Sequence, residues 1–193
     1  WQPFVRAQTR YFECIVEKAN LLPKSEGSRC VGLEKILEEA DDFSLLVDTP
    51  VPAAKVGVYM ARIHGILADC GTLTKENLEK AQEKFKEVLA AENPVREDAP
   101  LIRDIKAKAI YGMMEMALRS SDYGSALEAI EIYTNSRNAI MPTNYQFNLD
   151  DFEIMLNGIL VNAYAYKNAK DTKEIDKYQR NIEKIKLHLE KAI

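Results

Sequence analysis

The segment LEKAQEKF, residues 78–85, indicates how this chain of 193 residues folds. Leu78, Ala81 and Phe85 are three and four residues apart, so they share one face of a helix, and polar residues separate them. Similar helix openings recur at three other places: Leu33-Glu34-Lys35, Leu127-Glu128-Ala129 and Ile175-Asp176-Lys177. The openings start at positions 33, 78, 127 and 175, so they are 45, 49 and 48 residues apart. A unit that recurs about every 47 residues predicts a helical solenoid.

Breaks between the apolar stripes divide the chain into four hairpins of two helices each. The second helix is expected from about residue 29 to 47, because Pro50 and Pro52 cannot continue a helical hydrogen-bond ladder. We find no credible strand, since the β-branched residues follow helical periodicity. The sequence therefore predicts one all-α domain over residues 1–193 with eight helices. Its hairpins are expected at about 1–48, 53–92, 101–138 and 148–193.

The fourth helix resembles the second helix of a tetratricopeptide repeat. In that family a small residue allows close helix crossing, an aromatic residue follows four positions later and proline ends the unit, as Ala81, Phe85 and Pro94 do here. Residues 121–126, SDYGSA, resemble the turn that opens another such unit. The resemblance covers residues 78–142, although the period exceeds the family's length of about 34 residues and the Trp-Leu-Gly-Tyr signature is absent. It implies a right-handed α-α superhelix whose first helices line a concave binding surface.

Four glycines within the predicted helices indicate close helix crossings. Each costs about 1 kcal/mol in a helix interior relative to alanine. A neighbouring helix that packs against the bare backbone would compensate for that cost. We expect such an approach at Gly57, Gly65, Gly112 and Gly158.

The sequence contains no recognisable catalytic or metal-binding pattern, so we expect no enzyme activity, metal or cofactor. His64 has no carboxylate or cysteine three or four residues away, and His188 is distant in sequence. Ser120 and Ser121 lack the surrounding glycines of a nucleophile elbow. The acidic residues 38–42 and 150–153 lack the glycine and final glutamate of a calcium loop.

Charge is unevenly divided between the two helices of a hairpin, although the net charge of −4 gives no general attraction for nucleic acid. The first helices of the first three hairpins are net basic, and the second helices are net acidic. We therefore predict a mildly basic concave groove that binds an acidic peptide segment of a partner protein. Solvated helix faces that merely contain these cations are the alternative. The candidate partner-binding residues are Arg6, Arg10, Lys55, Arg62, Arg103, Lys106 and Lys108.

Two other binding functions stay open. A pentatricopeptide-like array would bind single-stranded RNA, although the period and the acidic total charge fit it poorly. An obligate structural subunit would bury the seventh helix, which starts near residue 148 and is apolar almost all round. The oligomeric state and the partner's identity do not follow from the sequence.

The three cysteines show neither a CxxC motif nor metal-ligand spacing. Cys14 and Cys70 lie on apolar helix faces, so we expect buried, reduced thiols and a reducing intracellular compartment, with the cytoplasm favoured over the nucleus or an organelle matrix. No run of 18 apolar residues is present, so no membrane insertion is expected. The chain opens at Trp1 without a signal-peptide pattern, and we expect an excised domain or a processed product.

Overall fold

The structure is a computed structural model that describes residues 2–23, 27–91, 99–120, 122–140 and 149–190. Within these ranges the chain forms eight α-helices and no strand, which confirms the all-α prediction. The predicted breaks at Pro94, Ser121 and Pro142, and the side chain of His188, lie outside the described residues. The helices are α1 (Gln2–Leu21), α2 (Leu33–Ser44), α3 (Pro50–Asp69), α4 (Thr74–Ala90), α5 (Ala99–Arg119), α6 (Tyr123–Ile140), α7 (Leu149–Asn168) and α8 (Thr172–Glu190).

The chain divides into two compact units, residues 1–112 and 113–193. The first unit contains α1 to α4 and most of α5, and the second contains the end of α5 with α6 to α8. Helical hairpin packing is present in each, between α3 and α4 and between α7 and α8. The right-handed superhelix and the single-domain organisation stay predictions.

Two helix starts differ from the sequence prediction. A short 3-10 helix, Gly27–Cys30, precedes α2, and Gly32 adopts the left-handed conformation with φ of 80°. Because this conformation interrupts a right-handed helix, α2 begins at Leu33 and not near residue 29. Pro50 begins α3, whereas we expected the prolines to end the preceding helix. Proline suits the first helical position, where its missing N–H would have no partner within the helix.

The core of the first unit lies where α1, α2 and α3 meet. Phe12 of α1 and Phe43 of α2 have ring centroids 5.8 Å apart, and both belong to a buried cluster with Val56 of α3. A second cluster joins Val16 of α1 to Ile63 of α3. These two clusters hold α1 beside α3 along most of their length, which is the arrangement that the groove described below requires.

Glycines permit the close helix crossings, as the sequence predicted. A Cβ atom on Gly57 of α3 would lie 2.7 Å from Val88 of α4, and one on Gly112 of α5 would collide with the ring of Phe85. In the second unit a Cβ on Gly158 of α7 would lie 2.5 Å from Ile130 of α6. These distances are too short for a methyl group, so only glycine fits without displacement of its neighbour. The fourth predicted position, Gly65, is buried.

The α7 helix buries one side and exposes the other. Met155 and Val161 are buried, and so is Asn162, whose amide nitrogen donates to the carbonyl of Gly158 at 2.8 Å. The Asn162 side-chain oxygen accepts a hydrogen bond from Asn181 of α8 at 3.2 Å. Because buried polar groups are costly when unpaired, this pair favours one register between α7 and α8.

The cysteine predictions are wrong in two respects. Cys14 is exposed, because it lies on the side of α1 that faces away from the clusters around Phe12 and Val16. Cys30 and Cys70 form a disulfide, with Cα atoms 6.5 Å apart, between the 3-10 helix and the residue after α3. The structure therefore contradicts the prediction that Cys70 is a reduced thiol. It does not support the reducing compartment that was inferred from that prediction. In the described part of the chain, no helix is long and apolar enough to cross a membrane.

Candidate functional site

A groove of about 900 Å³ opens on the surface of the first unit. It runs between α1 and the start of α3, and Leu101 of α5 also borders it. Three of the seven predicted partner-binding cations line it, namely Arg6, Arg10 and Lys55. The sequence prediction had placed these side chains on one surface, and the packing of α1 against α3 brings them together.

Contacts between α1 and α3 show how the two helices are aligned. Tyr59 lies near enough to Glu13 for the Glu13 charge, after burial, to raise the pKa of the phenol, and one turn further along both helices Arg62 lies 3.8 Å from Glu17. Residue numbers thus increase together on α1 and α3, so the helices run parallel. This register places the turns of α1 around Arg6 and Arg10 beside the part of α3 that precedes Tyr59, where the groove lies.

Arg10 is already engaged inside the groove. Its Nη1 donates to the Oε2 atom of Glu13 in a close ion pair, and this hydrogen bond raises the pKa of the guanidinium. Glu13 also affects Tyr59: burial first, and then the Glu13 charge, raises the pKa of the Tyr59 hydroxyl to about 12, although Arg62 and Arg10 act against this shift. The phenol therefore stays protonated at neutral pH and remains a hydrogen-bond donor.

Arg6 and Lys55 are the cations that remain open to a ligand. Arg6 is exposed and Lys55 is half-buried. Among the residues that the structure describes, none forms an ion pair with either of them. With Arg10 and Glu13 balancing each other, Arg6 and Lys55 give the groove a local charge of about +2.

The groove also has an apolar wall. Pro50, Val51 and Pro52 form the first turn of α3, and the side chain of Leu101 is 49% exposed beside them. Apart from the three cations and Glu13, the remaining lining residues are polar and uncharged, namely Gln2, Thr9 and Thr49. The groove can thus receive carboxylates on its basic side and an aliphatic side chain on its apolar side.

The other four predicted cations lie outside this groove. Arg62 is half-buried near Glu17, and Arg103 and Lys108 are on α5, half-buried and exposed respectively. Lys106 is placed differently from our expectation, since it is only 7% exposed and its Nζ donates to the carbonyl of Ala91 at 2.6 Å. Burial lowers the pKa of Lys106. The Lys106 ammonium group therefore binds within the protein and is not exposed to a ligand.

Sequence reasoning missed part of the lining. Glu13 could have been found, because it follows Arg10 by three residues, a spacing at which helical side chains meet. Thr49, Val51 and Leu101 could not have been found from the sequence. They enter the groove only because the start of α3 and the start of α5 both lie near α1.

His64 is part of the packing between α3 and α4. Its Nδ1 lies 2.7 Å from the side-chain oxygen of Asn77, so Nδ1 donates, and the Asn77 amide in turn donates to the carbonyl of Thr72. Burial lowers the pKa of His64, and the hydrogen bond to Asn77 opposes part of this shift. Across the described ranges, no three His, Cys, Asp or Glu side chains come together as metal ligands would.

No protein-family model, curated protein or solved structure matches this chain, and the similarity to tetratricopeptide repeats stays a prediction from residues 78–142.

Proposed function

We propose that this chain is a non-catalytic binding module and that the groove between α1 and α3 holds an acidic segment of a partner protein. The observation that carries the proposal is the position of Arg6 and Lys55, which line one groove and take part in no ion pair among the described residues. Salt bridges to these two cations would orient a ligand and accelerate its association.

The dimensions of the groove suit a short extended peptide. Its α1 side runs from Gln2 to Glu13, which corresponds to about 17 Å of helix. An extended chain advances about 3.4 Å per residue, so about five residues would span it. Carboxylates near Arg6 and Lys55, and one aliphatic side chain against Val51, would use both sides of the groove.

Reversal of the two unpaired charges should weaken this binding strongly. Arg6→Glu combined with Lys55→Glu is expected to weaken binding of a labelled Glu/Leu peptide at least about tenfold, because attraction becomes repulsion. Fluorescence anisotropy in about 0.05 M and 0.15 M salt would measure the affinity, and the wild-type affinity should fall as screening increases.

A matched control separates the groove from the total charge. Lys75→Glu with Lys80→Glu makes the same change in net charge on exposed positions of α4, away from the groove lining. This control should bind the peptide like the wild type. Equal weakening by both double variants, or equal affinity for a Gln/Leu peptide, would contradict an acidic ligand in the groove.

The exposed side of α7 supports a second candidate function, a subunit fixed in a larger assembly. Leu156, Leu160 and Tyr164 are 58%, 44% and 43% exposed and repeat every four residues, so they form one apolar stripe. Such stripes pack into grooves on partner proteins. Of the two candidates, the groove has the more specific chemistry and is therefore preferred.

An obligate interface at this stripe predicts that the isolated chain self-associates. Leu160→Asp is expected to return the monomer mass of 21.9 kDa, because it introduces a charge into the stripe. Leu45→Asp, on a residue that is 82% exposed in the first unit, is the control and should not change the oligomeric state. Analytical ultracentrifugation would measure the mass, and a monodisperse monomer of the unaltered chain would argue against this candidate.

An intracellular site of action remains part of the proposal, although the Cys30–Cys70 disulfide fits an oxidising compartment better.

A further inference from the structure

We propose that Glu13 is an internal competitor that occupies Arg10 in place of a ligand carboxylate and thereby limits the affinity of the groove. This inference rests on the proposed function, since it concerns the same acidic ligand. Glu13 and Arg10 both line the groove. Glu13 is the only carboxylate among the described lining residues, so it is the group that an incoming carboxylate must meet.

The geometry of Arg10 makes it a suitable ligand-binding group once Glu13 is removed. The Arg10 side chain is 71% exposed, whereas that of Glu13 is 34% exposed. The guanidinium therefore extends into the solvent of the groove, and Glu13 reaches it from one turn further along α1. A guanidinium binds a carboxylate best through two parallel N–H groups, and Glu13 already takes the Nη1 of Arg10.

Glu13 also lies near Tyr59 of the neighbouring helix α3, because its charge contributes, after burial, to the raised pKa of the Tyr59 hydroxyl. Since Glu13 belongs to the same helix as Arg10 and follows it by three residues, it loses less conformational entropy on pairing with Arg10 than a carboxylate on a free peptide does. A ligand must therefore displace a preorganised competitor or leave Arg10 unused.

The groove therefore has two cations that are available to a ligand, Arg6 and Lys55, and a third, Arg10, that is paired with Glu13. Arg6 and Lys55 bind the ligand in the unaltered protein, and Arg10 contributes only when the Glu13 carboxylate is removed. Glu13→Gln removes this charge with little change in shape, because glutamine has nearly the same size and retains one side-chain oxygen.

The experiment is a double-variant cycle with the labelled Glu/Leu peptide in about 0.15 M salt. Glu13→Gln is expected to strengthen binding by about three- to fivefold, which is the upper part of the range for one newly formed exposed ion pair. In the Arg10→Gln background the same change should strengthen binding by at most about twofold, because only long-range repulsion is then removed and salt screens it. Thermal unfolding of each variant would show that the fold is retained.

Glu17→Gln is the matched control. Glu17 lies one turn beyond Glu13 on the same helix and is close to Arg62, but it does not line the groove. It should leave the affinity unchanged. Three results would overturn the competitor role without contradicting an acidic ligand. They are an equal gain in affinity from Glu17→Gln, an equal gain from Glu13→Gln with and without Arg10, and no gain from Glu13→Gln. If neither the wild type nor Glu13→Gln binds the peptide, the proposed function fails and the competitor role fails with it.

Discussion

Replacement of Arg29 by alanine is expected to lower the free energy of unfolding by about 3–5 kcal/mol. The side chain of Arg29 is 5% exposed, and its Nη1 donates to the Oδ2 of Asp69, itself 13% exposed, at 3.0 Å. Its Nε donates to the carbonyl of Ala19 at 2.9 Å, near the end of α1, where carbonyls have no partner within the helix. The change would therefore remove Arg29 both from the half-buried carboxylate of Asp69 and from the carbonyl at the end of α1.

Urea unfolding, followed by circular dichroism, would measure this loss. A reductant should be present, so that the neighbouring Cys30–Cys70 disulfide does not add its own contribution to stability. Arg10→Ala is the matched control, because it breaks an ion pair in which the arginine is 71% exposed, and its loss of stability should be much smaller than that of Arg29→Ala. Similar losses for the two variants would show that burial does not set the strength of the Arg29 interactions.

Phe85→Ala should destabilise the first unit by about 3–5 kcal/mol. The Phe85 side chain is fully buried on α4, and its ring fills the space that the missing side chain of Gly112 leaves on α5. Alanine would leave a cavity there, since Gly112 has no side chain that could fill it. Phe4→Ala, at a phenylalanine that is 50% exposed, is the control and should cost much less in the same urea titration.

The close approach of α4 and α5 makes a second, opposite test possible. Gly112→Ala is expected to cost about 1–3 kcal/mol, because its methyl group would displace the Phe85 ring. In the Phe85→Leu background the cost should fall below about 1 kcal/mol, since the smaller side chain leaves room for the methyl group. An additive result would mean that the two residues do not share this space.

The helices could be predicted from the sequence because their signals are local. Apolar residues at intervals of three and four residues, and the breaks between them, gave eight helices, which the described part of the chain confirms. The starts of α2 and α3 differ from the prediction. Both a left-handed Gly32 and a proline at the first position of α3 depend on local backbone geometry that the periodicity of the side chains does not encode.

The candidate site was predicted only in part. Composition placed cations on the first helices, and the structure brings Arg6, Arg10 and Lys55 into one groove. Lys106 belonged to the same prediction and is buried against Ala91. Lys106 follows Ile102 by four residues and precedes Ala109 by three, so its spacing places it beside the apolar stripe of α5. The sequence does not show that the carbonyl of Ala91 accepts its hydrogen bond.

The amino-acid sequence by itself determined which segments become helices, because the signals for a helix come from neighbours within a few residues along the chain. Only the tertiary structure decided which charges are available to a ligand. The state of Arg6, Arg10 and Lys55 depends on how α1 packs beside α3, and the pairing of Cys30 with Cys70 depends on contacts between residues forty positions apart. Such contacts form only when the helices pack. The strength of an electrostatic interaction depends on the distance between the two charges in space and not on their spacing in the sequence.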